Sequence, residues 1–289
     1  MLNPREMIVM DSTPATRLAS AIQRRFGESM EVPTDLPGAD ALAQMNERSV
    51  CRRYRPDAVP KALLRILCAT ALSSPSKSDL QQASIIRVSS PADRGAIQAL
   101  LPGSPWIARA PEFLVICGDG ARLRRIFFRR GLGFPNDDLE AFFNVTVDGA
   151  IVLSTLVQAA GLIGLGCCPI SEIRNHAKAI AKMLVLPDWV FPIAGLTLGW
   201  PTEFEPLSPR LALTASVHDG RYDATAVDRE LDDYDARRIR DRPYPRQRDP
   251  KRFGVADRYG WTEDKARQCM ETPANGFGSF VRLHKYQLD

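Results

Sequence analysis

The stretch from Asp138 to Leu162 constrains the fold of this chain more than any other. It reads as one long helix, apolar nearly all round, with Ile151, Leu153, Leu156 and Val157 clustered. A helix with no continuous polar face cannot stand alone at a protein surface, so it belongs at the centre of a core or in a subunit interface. The chain has the material to enclose it: 289 residues, 45% of them hydrophobic. No uninterrupted apolar run approaches the ~18 residues of a membrane span. The start of the chain lacks the basic-then-apolar pattern of a secretory leader. These two readings predict a cytoplasmic protein that does not engage a membrane.

The segments around that helix alternate in period. Leu18, Ile22 and Phe26 stand four apart and predict a short amphipathic helix over Pro14 to Phe26, followed by a Pro- and Gly-bearing linker through Gly38. A helix to about Glu47, a loop through Arg55 and a helix from Pro60 to Leu72 come next. Ala83 to Ser89, Glu112 to Cys117, Ile163 to Cys168 and Ile193 to Gly199 read as strands, and Pro91 to Leu101 and Glu172 to Leu184 as helices. Helices alternating with short strands, without hairpin signals, predict an α+β or α/β sheet covered by helices.

Beyond Arg210 the composition changes. Asp228 to Arg242 is a charged helix candidate, Arg242 to Arg252 reads as an extended Pro- and Arg-rich arm, and Trp261 to Met270 and Phe277 to Leu283 could close the chain. The expected division is an N-terminal extension over 1–39, a main domain over 40–225 and a C-terminal extension over 226–289.

Charge and rare residues exclude several functions. With 38 basic against 34 acidic residues, the net +4 gives no reason to expect a nucleic-acid partner. Three scattered histidines, His176, His218 and His284, cannot build a zinc site or a catalytic triad. The six cysteines are expected to be reduced, and the adjacent Cys167 and Cys168 to be packing residues. Gly161, Gly164 and Gly166 have the wrong spacing for a dinucleotide fingerprint and suit tight packing.

Three separated stretches carry the chemistry: Arg48-Ser49-Val50-Cys51-Arg52-Arg53-Tyr54, the run Ser73-Ser74-Pro75-Ser76-Lys77-Ser78-Asp79-Leu80-Gln81-Gln82, and Gly164-Leu165-Gly166-Cys167-Cys168-Pro169-Ile170-Ser171. A fourth, Leu198-Gly199-Trp200-Pro201 with Pro206-Leu207-Ser208-Pro209-Arg210-Leu211, completes the order. Together they resemble the nitroreductase family, in its larger oxygen-insensitive, NADPH-dependent subgroup, over roughly Leu42 to Tyr222. The resemblance implies a nitroreductase-like α+β sheet covered by helices, with a C-terminal extension that wraps a homodimer or covers the pocket. It implies FMN as cofactor, NADPH or NADH as co-substrate, and a small-molecule electron acceptor reduced by ping-pong hydride transfer.

The same resemblance assigns roles. A phosphate dianion needs fixed cations and donors, for which Arg48, Ser49, Arg52 and Arg210 are the candidates. Relatives carry a lysine two residues before the last of these, where this chain has Ser208, so one counter-charge is missing. Ser74, Pro75, Ser76, Lys77, Asp79 and Gln81 sit on one turn-rich segment that could face the polar edge of the flavin ring, Asp79 accepting from it and Lys77 stabilising its reduced form. Pro169, Ile170 and Ser171 open a helix that would offer backbone N–H groups to the ring. No residue is assigned as a catalytic acid or base. The Arg-rich segment between Arg237 and Arg252 could meet an NADPH phosphate or be a solvated arm. A non-catalytic flavin- or partner-binding protein of the same fold is the alternative.

Overall fold

The computed structural model describes residues 13–135, 137–270 and 276–288. The chain divides into two compact units, each discontinuous in sequence: Val50–Glu205 with Pro273–Asp289, and Met1–Ser49 with Pro206–Thr272.

The larger unit is built on an antiparallel sheet. Its short first strand, β1 (Arg53–Tyr54), pairs with β6 (Pro201–Glu203), apart from the main sheet of β2 (Ala83–Arg87), β3 (Glu112–Asp119), β4 (Gly166–Ile170) and β5 (Val190–Gly199). The order across the main sheet is β2-β3-β5-β4, and every neighbouring pair is antiparallel. The fold is therefore α+β, since an α/β sheet would be parallel.

Residues of β3 and β5 are buried throughout, so both faces of the sheet are covered. Side chains alternate between the faces as strand geometry requires. Leu114, Ile116, Leu196 and Leu198 join the core with Leu64 and Leu67 of the Lys61–Leu72 helix and Val152, Leu156 and Val157 of the Leu139–Leu162 helix. Phe113, Val115, Cys117 and Cys168 turn the other way, onto Ile97, Ile107, Ile173 and Ile180. The closing Phe277–Leu283 helix adds Phe280 and Val281 to a third cluster with Val145, Phe191 and Tyr286.

The Leu139–Leu162 helix thus takes the core position, with Val152, Leu156 and Val157 buried within their own unit. Its mean hydropathy of 1.6 over an 18-residue window would suffice to cross a membrane, which counting uninterrupted apolar runs had not suggested. Packing on the sheet and a buried carboxylate, Asp148, mark it as a core helix. Gly149 lets it approach, because a Cβ there would collide with Ile193 Cδ1 of β5.

The smaller unit packs the Pro14–Phe26 helix, with the boundaries expected from its period, against the Ala39–Glu47 helix. Arg17 bridges Asp40 and Glu47, both at 2.7 Å. The charged Val227–Asp241 helix lies against Trp261–Cys269, with Tyr234 edge-on to Trp261 at 5.3 Å. Asp235 accepts from the N–H groups of Trp261 and Thr262 at 2.6 and 3.1 Å. The segment after Arg242 is not an extended arm. Gln247 and Ala256 exchange two hydrogen bonds of 2.7 and 2.8 Å, and Arg248 N–H donates to the Tyr259 hydroxyl at 2.8 Å, folding it into a loop.

Candidate functional site

The Ser- and Gln-rich segment is held in an uncommon backbone shape. The helix before it ends at Ser73, where Pro75 prevents continuation, and the Ser74 hydroxyl turns back to the Ala71 carbonyl at 2.7 Å. Lys77–Asp79 form a single 3-10 turn. Ser78, Asp79 and Gln81 then have φ of 49, 56 and 51°, in the left-handed region that costs non-glycine residues of the order of 1 kcal/mol each.

Asp148 offsets that cost. Its carboxylate, 2% exposed, accepts from Ser76 Oγ at 2.7 Å and from the N–H groups of Lys77 and Gln82, both at 3.1 Å. Ser76 Oγ in turn accepts from Gln81 N–H at 2.6 Å. One buried carboxylate on the core helix therefore sets the path of the whole loop. A signal for it existed: Asp148 is the single charged residue between Phe142 and Leu162.

These bonds also say what the loop can offer a ligand. The hydroxyls of Ser74 and Ser76 are engaged internally, Lys77 Nζ meets Glu140 Oε1 at 3.0 Å, and Asp79 accepts from Gln81 Nε2 at 3.0 Å. Ser74, Pro75, Ser76 and Gln81 nonetheless line one pocket of about 400 Å³, with Leu72, Ile85 and Val152 as apolar walls and Gln82 and Arg122 as polar ones. Gln82 Nε2 is buried there without a hydrogen-bond partner. An orphaned amide donor beside apolar walls suits a flat heterocycle with carbonyl acceptors.

The third stretch is a strand end. Cys51 N–H donates to the Cys167 carbonyl at 3.0 Å, and a Cβ on Gly166 would stand 2.6 Å from Cys51 Sγ, so glycine is needed for this approach. Pro169 is exposed and Ile170 buried, both within β4. Ser171 begins a 3-10 helix of six residues before the Ala177–Met183 helix. The expected α-helical start with its macrodipole is therefore absent, because a short 3-10 segment aligns too few peptide dipoles. Arg52 lies 4.9 Å over the Trp106 ring and 3.7 Å from Glu205. Burial pushes the Cys168 thiol up, with Arg52 opposing. None of the six cysteines is in a disulfide.

In the smaller unit, cations gather. Arg48 closes the Ala39–Glu47 helix, and its Nη1 and the Ser49 Oγ are buried without hydrogen-bond partners. Arg210 is exposed beside a pocket of about 390 Å³ lined with Phe26, Tyr234 and Trp261, and its N–H donates to the Arg25 carbonyl at 2.6 Å. Arg25, which sequence reasoning passed over, is lowered to about 10 by burial and then by the positive charges of Arg210, Arg48 and Arg24. No carboxylate figures among the charges acting on it. Positive groups that repel one another, with orphaned donors at hand, fit an anion such as a phosphate. At Ser208, where a cation is missing from the sequence, the Arg242 guanidinium donates to Ser208 Oγ and, at 2.8 Å, to the Pro206 carbonyl.

Comparison with known proteins places these observations. Residues 45–200 match the nitroreductase family. An oxygen-insensitive NADPH nitroreductase of Salmonella typhimurium is 36% identical over 171 residues, 59% of this chain and 70% of that protein. An FMN reductase [NAD(P)H] of Bacillus subtilis is 30% identical over 188 residues, 63% of this chain and 74% of its own. The solved structure of B. megaterium NfrA2 superimposes with a TM-score of 0.78 at 26% identity, covering 86% of this chain and 98% of that one. With more than half its length inside the family match, and with the sheet and loop built as described, this chain belongs to the nitroreductase family.

Proposed function

We propose that the protein is an FMN-dependent NAD(P)H oxidoreductase that passes reducing equivalents to nitroaromatics, quinones or flavins. The observation that carries this is the cluster of Arg25, Arg48 and Arg210, whose mutual repulsion and orphaned Arg48 Nη1 and Ser49 Oγ call for a bound anion. The relatives are named for catalysis, which leaves the non-catalytic alternative without support. FMN, when bound, supplies two-electron chemistry, accepting hydride from a nicotinamide and returning it to a second substrate.

The chain's own residues bind and orient. Arg48, Ser49 and Arg210 of the smaller unit would hold the phosphate. The 74–82 loop, fixed by Asp148, would offer Gln82 Nε2 and, once released from Asp79, the Gln81 side chain to the polar edge of the ring. Pro169, Ile170 and Ser171, at the end of β4, would approach the ring from outside that pocket. Because the carboxylate fixes the loop before ligand arrives, little ordering cost remains at binding. No proton-transfer residue is required. The first test is loading: purified protein should take up FMN and turn yellow, and failure to bind FMN under any condition removes the reading.

The role of Ser208 changes in the light of Arg242. A lysine at 208 would place an ammonium against a guanidinium already docked there, so Ser208→Lys should change FMN affinity less than about twofold. In an Arg242→Ala background the same substitution should tighten FMN. Fluorescence titration of apo-protein separates the two: tightening by Ser208→Lys alone would show that Arg242 does not occupy that role.

Assembly follows from another face of the core helix. Leu139, Phe143 and Val147 recur at four-residue spacing and are 52, 63 and 37% exposed, and Ile126, Phe128 and Leu132 are also open. Apolar surface of this kind suits a subunit contact, so we extend the homodimer interface expected around Ile151 to Val157 to this face of the helix. Sedimentation at micromolar concentration should give a dimer, and a flavin-loaded monomer would contradict it. The loop from Tyr244 to Pro250 borders a pocket of about 630 Å³ where Arg248 and Lys265 pair with Asp264, and Arg246 is the cation we assign to the phosphate of an NADPH co-substrate. We place the protein in the cytoplasm, on the strength of its likeness to an NADPH nitroreductase.

A further inference from the structure

The Pro14–Phe26 helix precedes the family match, which begins at residue 45, yet its last turn is built into the cation cluster of the smaller unit. Local sequence explains how the turn is aimed. Thr13 caps the start by accepting from Thr16 N–H at 3.2 Å, and Gly27 ends the helix in the left-handed region with φ 77°. Arg17 fastens the middle to the Ala39–Glu47 helix through Asp40 and Glu47. The last turn then directs Arg25 inward, where it is 7% exposed.

Each nitrogen of that guanidinium has a backbone carbonyl to meet. Nε donates to Asn46 at 2.6 Å, Nη1 to Ser208 at 3.1 Å and Nη2 to Arg48. Its own carbonyl accepts from Arg210 N–H at 2.6 Å. One side chain therefore ties together two segments far apart in sequence, each ending in a candidate phosphate-binding arginine. Three carbonyls satisfy the donors but leave the net charge uncompensated, and a buried cation beside like charges is costly unless an anion completes the site.

We propose that Arg25 is a positioning residue for the cofactor phosphate, and that the N-terminal helix is part of the cofactor site because it holds the main chains of Arg48 and Arg210 in place for one anion. The inference rests on the FMN reading above. It gives the N-terminal helix a function specific to phosphorylated flavins: riboflavin, which has the ring without the phosphate, gains nothing from Arg25.

The test titrates apo-protein with FMN and with riboflavin, in the wild type and in Arg25→Met and Arg25→Lys. Riboflavin serves as the control for an intact fold and ring site. Arg25→Met should weaken FMN by about tenfold or more, with riboflavin affinity unchanged. Arg25→Lys, which keeps the charge but cannot span three carbonyls, should lie between. If Arg25→Met does not fold, the lysine variant decides by the same comparison. An FMN-to-riboflavin ratio equal to that of the wild type, or equal losses for both ligands, overturns the proposal. A wild type that binds FMN no better than riboflavin defeats instead the FMN reading on which it rests.

Discussion

Asp148→Ala is expected to lower the melting temperature by about 10 °C and to release the 76–82 loop. Three hydrogen bonds end on this carboxylate, from Ser76 Oγ and the N–H groups of Lys77 and Gln82. Bonds to a charged acceptor contribute roughly 1.5–3 kcal/mol each, and their loss also leaves buried donors unpaired. Because the three bonds share one carboxylate their losses are not additive, and a total of about 3–5 kcal/mol is expected, at roughly 2–4 °C per kcal/mol for a chain of this size. Without the carboxylate, the left-handed residues Ser78, Asp79 and Gln81 have no reason to stay as they are. Limited proteolysis should then cut within the loop. Asp148→Asn, which keeps one acceptor oxygen, should lose less. A melting temperature and loop protection unchanged in the alanine variant would show that the loop is fixed by other means.

The second large effect concerns phosphate. Arg48→Ala and Arg210→Ala should each weaken FMN about tenfold or more, because each removes a charge-assisted contact from a dianion. Riboflavin affinity should not move. The wild-type preference for FMN should shrink as salt rises, in line with screening at the exposed Arg210 side chain. Turnover of the loaded enzyme should be nearly unchanged, since a contact remote from the reacting atoms stabilises ground and transition states alike. The double variant should fall short of the product of the two losses, because neighbouring cations couple. Full FMN affinity in both single variants would place the phosphate elsewhere.

Much of the fold was legible because apolar period carries it. The Pro14–Phe26 helix, the long core helix and the buried strand β3 follow directly from residue spacing. The Ala121–Arg129 helix did not, and the reason is physical: its buried residue is Arg124, which lies over the rings of Phe134, Trp189 and Tyr286 at 4.4, 4.9 and 5.2 Å. An arginine doing the work of an apolar anchor is invisible to a hydrophobic pattern. Strands β1 and β6, of two and three residues, are too short for any period to show. Nor can linker composition reveal that residues from both sides of the 50–205 stretch assemble into one unit.

The candidate site divides the same way. Its candidate segments were readable as runs of polar residues, but the groups that hold those segments were not. Asp148 and Arg25 act on main-chain atoms of distant segments, and such contacts leave no local trace beyond an acid in an apolar helix or an arginine at a helix end. Arg242 at Ser208 is a similar case, a cation brought from 34 residues away.

The central claim is that this chain binds FMN and uses it to carry reducing equivalents between two substrates in turn. Anaerobic rapid mixing of the FMN-loaded protein with NADPH, followed by a nitroaromatic or quinone, tests it most directly. The visible flavin absorbance should be bleached in the first step without acceptor present, and restored in the second without NADPH, at rates compatible with steady-state turnover. Flavin that stays oxidised with both NADPH and NADH, or reduced protein that no such acceptor can reoxidise, would contradict it.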